Sequence, residues 1–412
     1  MTTLSAMARF DRASVMPFAD WLAVGVALAL PWSTSATAIF IALWLVAALL
    51  TVDPAALKRE LVTPAGGLPV LLWCLGAMGM LWADVGWTDR LGGLDGFNRL
   101  LLIPLLLAHF RRSGRGNRVV CALLVSSAVV LLVSFVMVLA PGPTWHGYVN
   151  GVPVHDDIFQ GSNFAICGFG ALGYAILENS RLGRRTASAL FVIGALFLAN
   201  FALVAISRAA VLVIPILALL LGWRLYRWKG VAGVAILIVA IGSIGLLFSP
   251  SLHKRLNQSI QEFQIYRATN AGTSIGEHIA FLKESSAIVA AAPLIGHGTG
   301  SIPQQFRKIT AGGTGVSAEA TVNPHNQTFA VAIQIGLVGA LVLWAMWIAH
   351  LLLFREQGVW HWLGTVVVVE NIVSSIFHSH LFDFNNGWLY VFGVGVLGGA
   401  ALRQRDAVSG HP

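Results

Sequence analysis

Apolar residues fill long stretches of this chain, and short polar or basic segments interrupt them at intervals. The apolar runs fall at 18–31, 36–51, 66–83, 93–110, 119–140, 161–178, 187–205, 209–223, 230–248, 327–350, 359–377 and 384–402. A bilayer core about 30 Å thick is crossed by roughly 20 apolar residues of helix, and a bundle tolerates shorter ones. The pattern predicts about twelve transmembrane helices, the first two short and hinged at Pro31 and another pair turning at Ser207-Arg208. Residues 249–326 stand apart, separating the ninth run from the tenth by far more chain than ordinary connections use. Inside that interval, 274-SIGEHIAFLKESSAIVAA-291 sets Ile275, Ile279, Phe281, Leu282, Ile288 and Val289 in a rough helical stripe. An amphipathic helix is expected there, lying on the membrane surface or against the bundle and ended by Pro293 and Gly296. The segment 312-GGTGV-316 reads as a flexible turn. The chain then divides into nine spans over 1–248, a loop subdomain over 249–326, and three spans with a tail over 327–412.

Composition agrees with this pattern. Of the 412 residues, 57% are hydrophobic and 11% charged, whereas a soluble chain carries about 25% charged residues. The expected class is an all-α integral membrane protein. The N-terminal MTTLSAMARFDRASVM carries two arginines but no small-residue cleavage site follows, so it reads as the start of a retained span. Cys74, Cys121 and Cys167 all lie in apolar runs and read as small buried residues without a disulfide framework. The net charge of +8 sorts by side. With both termini in the cytoplasm, Lys58-Arg59, Arg111-Arg112, Arg184-Arg185, Arg224, Arg227 and Arg403 all fall inside, while the short outer loops hold little beyond Arg90 and Arg208. The excess is a topology signal, and no nucleic-acid partner is expected.

Polar groups in or at the edge of a bilayer are costly and call for an explanation. His109, His350 and His361 lie at inner helix ends, where they can reach the headgroups. Glu370-Asn371 sits mid-span, either as a proton-relay acid or as a hydrogen-bonding pair. The outer side gathers more: Arg99, His155, Asp156, Asp157, Gln160, Arg208, Arg267, His278, His325, Asn326, His378, His380 and Asp383. Arginines on the side poor in positive charge point to an anionic partner, and a guanidinium fork matches phosphate oxygens. For Arg208 the alternative is an interfacial anchor or a salt bridge to Asp157. In 323-NPHN-326, Asn323 suits the turn before Pro324 and Asn326 suits an N-cap. The histidines match no zinc signature, so a metal-free site is expected. No strand precedes the glycines at 296, 298 and 300, which argues against a nucleotide loop.

These motifs and their order resemble the O-antigen ligase and polymerase superfamily: S-R-A at 207–209, T-S-x-G at 273–276, P-L-x-G-x-G-x-G at 293–300 and N-P-H-N at 323–326. The final H-S-H-L-F-D segment looks more like the ligase branch. The resemblance implies a glycosyltransferase on the periplasmic side of a Gram-negative inner membrane. It would move a finished O-antigen chain from undecaprenyl diphosphate to lipid A-core without a nucleotide sugar or other cofactor. The implied catalytic residues are His325 and Arg208, with Arg267, Arg99, His278, Gln160 and Asn326 as candidate contacts to diphosphate or sugar. A loop arginine is expected just after T-S-x-G, where this chain has His278. A polymerase or protein O-oligosaccharyltransferase of the same superfamily is the near alternative. A transporter or lipid flippase is the distant one, and clear internal repeats would favour it.

Overall fold

The structure, a computed structural model, describes residues 12–140, 150–154, 156–204, 208–248 and 250–409. It is helical, with no strand among the described residues. The first half holds α1 (Arg12–Ala29), α2 (Thr34–Thr51), α3 (Pro54–Leu61), α4 (Pro64–Gly79), α5 (Trp87–Asn98), α6 (Leu102–Arg112), α7 (Gly116–Leu139), α8 (Asp157–Leu177) and α9 (Arg184–Leu203). A 3-10 turn, Arg99–Leu101, joins α5 to α6. There follow α10 (Arg208–Phe248), α11 (Pro250–Thr269), α12 (Ser274–Ala291), α13 (Ile302–Thr310), α14 (Gln327–Leu353), α15 (Val359–Ser374) and α16 (Phe384–Ser409).

Short polar residues start many of these helices. The side chains of Ser33, Thr63, Asp156, Thr273 and Asn326 each accept from the backbone N–H three residues on, and Pro54 and Pro64 occupy first-turn positions where no amide partner is needed. Helix occupies all twelve apolar runs. Among the described residues, five helical stretches are long and apolar enough to cross a bilayer, and six if α3 and α4, bent by 82°, form one span. Several others are shorter, as with the 16 residues of α15. The runs at 209–223 and 230–248 are two arms of α10, which leaves helical geometry at Tyr226 and Arg227. A Cβ on Gly230 would overlap the Gly222 carbonyl. Eight residues of continuous helix would hold these about 12 Å apart, so the chain doubles back there.

The expected helix over 274–291 is α12. Its stripe turns inward: Phe281 and Ile288 bury with Ile302 and Phe306 of α13 and Ala330 and Ile333 of α14. The interval holds more helix than expected, since α11 and α13 flank α12. The 293–300 turn has a structural role. Helix α14 breaks at Ile335 and Gly336, and the turn plugs the break. His297 N–H donates to the Ile333 carbonyl at 2.8 Å, Gly298 N–H to the Gln334 carbonyl at 2.9 Å and Leu337 N–H to the Pro293 carbonyl at 2.8 Å. Thr299 N–H reaches the Gly79 carbonyl at the end of α4 at 3.0 Å, and Gly300 N–H the Gln334 side chain at 2.8 Å. Non-helical backbone inside an apolar bundle is tolerated only when its polar groups are satisfied in this way. Gly298, at φ +91, lies against the Ala83 backbone, where a side chain has no room.

Candidate functional site

The N-P-H-N turn is fastened from both sides. Asn323 Oδ1 accepts from the His325 N–H at 2.9 Å and from the Ser379 hydroxyl at 2.8 Å, and Thr321 braces Asn323 from behind. Asn326 caps α14 through the Phe329 N–H, and its own Nδ2 donates to the Ile376 carbonyl at 3.1 Å. Gln327 N–H donates to the Ser375 carbonyl, and its Oε1 accepts from the Leu381 N–H, both at 2.9 Å. The first turn of α14 is thus strapped to the 375–383 turn between α15 and α16. His325 takes a left-handed φ of 50°, uncommon for a residue with a side chain. Asn323 holds it there.

That backbone aims the imidazole into a cluster of rings. His325 stacks on Phe281 of α12 at 5.7 Å between centroids and 14° between planes. His278, one turn earlier on α12, meets it edge-on at 5.7 Å, and His378 does so at 5.9 Å. His378 in turn stacks on His380 at 5.6 Å and 17°. Burial lowers the His325 pKa below its usual value and favours the neutral ring. Its Nδ1 is enclosed without a hydrogen-bond partner among the described residues. His380 is 1% exposed with both ring nitrogens in the same condition, and burial, with His378 adding to it, pushes its pKa down to about 3. Among the described residues, no three His, Cys, Asp or Glu side chains are arranged to hold a metal ion.

The other expected site residues fall in different places. Arg99 is buried, and its guanidinium donates to the carbonyls of Phe382, Asp383 and Phe384 and lies over the Trp388 ring. It pins the same turn that carries His378 and His380. Asp383 caps α16 through the Asn386 N–H at 2.9 Å, and burial, with the Asp156 charge adding to it, raises its pKa. Gln160 donates to the Gly151 carbonyl at 3.1 Å within a buried network with Ser134 and Asn200. Arg267 is exposed in the last turn of α11. The backbone of Arg208 opens α10; its side chain, Ser207 and His155 lie outside the described residues. The sequence places His378 and His380 on the same outer side as His325 and weighs them as metal ligands, without pairing them with His325. Their packing around His325 depends on the α15–α16 turn, and the H-x-H spacing carries no trace of that partnership.

Residues 193–344 match the model of a family described as O-antigen ligase. That match supports membership of the O-antigen ligase/polymerase superfamily. No curated protein matches it. The superfamily match runs from α9 through both arms of α10, the α11–α13 segment, the N-P-H-N turn and the break in α14. It therefore covers His278 and His325 but stops short of the turn with His378 and His380. The match supports a membrane enzyme of the O-antigen ligase/polymerase kind. The position where the superfamily resemblance implies an arginine holds His278, which packs edge-on to His325.

Proposed function

We propose that this protein transfers O-antigen polysaccharide from undecaprenyl diphosphate to lipid A-core, at the periplasmic side of a Gram-negative inner membrane. The observation that carries the reading is His325: an imidazole held in left-handed backbone by Asn323, kept neutral by burial, with an unpartnered ring nitrogen. A sugar hydroxyl attacks well only if its proton is accepted as the new bond forms, and a neutral imidazole suits that role. The acceptor oxygen bonds to the anomeric carbon and His325 takes its proton. The bond from that carbon to the diphosphate oxygen breaks, and the electron pair leaves with the diphosphate. Attack from the opposite face inverts the configuration. Fixed guanidinium groups neutralise the growing charge on the leaving group, so no metal ion is required. Arg208 at the start of α10 is assigned to the diphosphate, with the exposed Arg267 as a second charge; His278 and Asn326 line the approach to the base.

The test is polymer attachment in cells deprived of their own ligase. His325→Ala should abolish it, and Arg208→Lys should reduce it by at least tenfold by losing the guanidinium fork. Full attachment by His325→Ala would remove the base from the mechanism. Growth of a lipid-linked chain with no polymer on lipid A-core would make the protein a polymerase instead.

A further inference from the structure

At the end of the bundle away from the histidines, two cavities adjoin. The first is a slot open on one side, lying among α1, α7, α8, α9, α15 and α16. Of its lining residues only Cys167 and Tyr174 carry a polar side-chain atom. It follows α8 from Ile166 to Tyr174, about 12 Å at the helical rise. The second is more polar, lined by Tyr174, Glu178, Arg181, Leu182, Val359 and Gln404. Tyr174 lines both. Its helix, α8, begins beside the histidine end, where Asp156 acts on Asp383, and runs some 30 Å from it. An apolar slot thus opens into a polar vestibule near one surface of the bundle.

The charge around the vestibule narrows the occupant. Arg181 is 77% exposed and pairs at 3.2 Å with Glu178, a bridge that a stronger anion can displace. Arg184 and Arg185 begin α9 three residues on, while Arg224 donates to the Glu356 carbonyl just before α15. Arg405 follows Gln404 on α16, and its charge, like that of Arg224, acts on His361 in the first turn of α15. Cationic groups outnumber Glu178 and Glu356 there. We infer that this paired cavity binds an anionic glycerophospholipid, its acyl chain in the apolar slot and its phosphate at Arg181 beside Tyr174 and Gln404. The site is separate from the histidine cluster and independent of the chemistry proposed for it. A lipid held there packs between α8, α15 and α16, the helices whose far ends carry the site.

The experiment is native mass spectrometry of the delipidated full chain titrated with phosphatidylglycerol, phosphatidylethanolamine or a polyprenyl phosphate. One phosphatidylglycerol should be retained at least tenfold more tightly than phosphatidylethanolamine, and it should raise the melting temperature. Arg181→Glu should erase that preference while leaving weak binding of both lipids. Ala171→Phe fills the slot and should abolish retention; Leu124→Trp, from α7, does the same should the first variant fold poorly. Equal retention of the two phospholipids, tightest retention of the polyprenyl phosphate, or binding unaffected by both filled-slot variants would each overturn the assignment.

Discussion

Replacing Gly298 by alanine should unseat the plug that joins α4 to α14. Gly298 sits at φ +91, and a Cβ there would fall 2.6 Å from the Ala83 nitrogen and closer still to the Ala83 Cα and Cβ. The left-handed conformation alone costs an alanine about 1–2 kcal/mol. The clash involves backbone on both sides, so relief requires the turn to withdraw. Withdrawal breaks the bonds from His297 and Gly298 to the carbonyls of Ile333 and Gln334, each worth about 0.5–1.5 kcal/mol net and more if the carbonyl stays buried. The total is roughly 2–5 kcal/mol. Gly312 is the control: its φ is +79 with nothing within 4 Å of a built Cβ, so alanine there should cost only the backbone share. Thermal unfolding in detergent, followed by tryptophan fluorescence, separates the two. Gly298→Ala should melt well below Gly312→Ala and lose polymer attachment, because α12 carries His278 and Phe281 and leads directly into the plug. Matching melting curves would refute the plug as a structural joint.

Three other outcomes follow from buried polar groups. Since His380 has its pKa pushed down to about 3, the stability its neutral ring contributes is complete above about pH 6.5 and falls with pH toward 3, by up to about 1.4 kcal/mol per unit. His380→Gln should therefore flatten the loss of melting temperature between pH 7 and pH 5. Glu284 on α12 has one carboxyl oxygen enclosed without a partner among the described residues, and burial pushes its pKa up to about 7. Its contribution is present below about pH 4.5 and lost as pH rises through 7, so Glu284→Gln should melt higher than wild type at pH 8 and alike at pH 4.5. Arg99→Lys cannot keep three carbonyls in one planar fork, and should lower the melting temperature along with activity. Lost activity with unchanged melting would favour a direct role on substrate.

Features carried by neighbouring residues were legible in the sequence, and features carried by distant ones were not. Helix α12 could be read from its stripe and from Pro293, and the Asn326 cap from its place before an apolar run, because both are local. The sequence treats Arg99 as a phosphate or sugar candidate because arginines are scarce on that side; the carbonyls its guanidinium reaches lie more than 280 residues away. The glycines at 296, 298 and 300 resemble a phosphate loop in spacing, yet they complete a break in α14 that begins at Ile335. Gly336 was the available signal, a glycine inside a long apolar run that ends helical geometry. Helix α11 had no such signal, being too polar and too weakly patterned to distinguish from a loop.

The surroundings of His325 carry one more consequence for the proposed reaction. Its ring packs against Phe281, His278 and His378, none of which offers a carboxylate. In the free enzyme, burial holds its pKa below 6.5, so the ring is ready to accept a proton but poorly placed to keep one. The imidazolium that forms during transfer needs a counter-charge, and the bound diphosphate supplies it. Donor binding should therefore raise the His325 pKa, strengthening the base only when there is a bond to break. The pH dependence of kcat/KM reports the free enzyme and that of kcat the loaded one. The acid limb of kcat/KM should then lie below pH 6.5 and that of kcat at higher pH, with purified lipid-linked donor and a saturating acceptor. In His278→Gln the separation should persist, because the donor supplies the charge. Coincident limbs in the wild-type protein would mean that His325 does not face the leaving group, and its role as base would have to be reassigned.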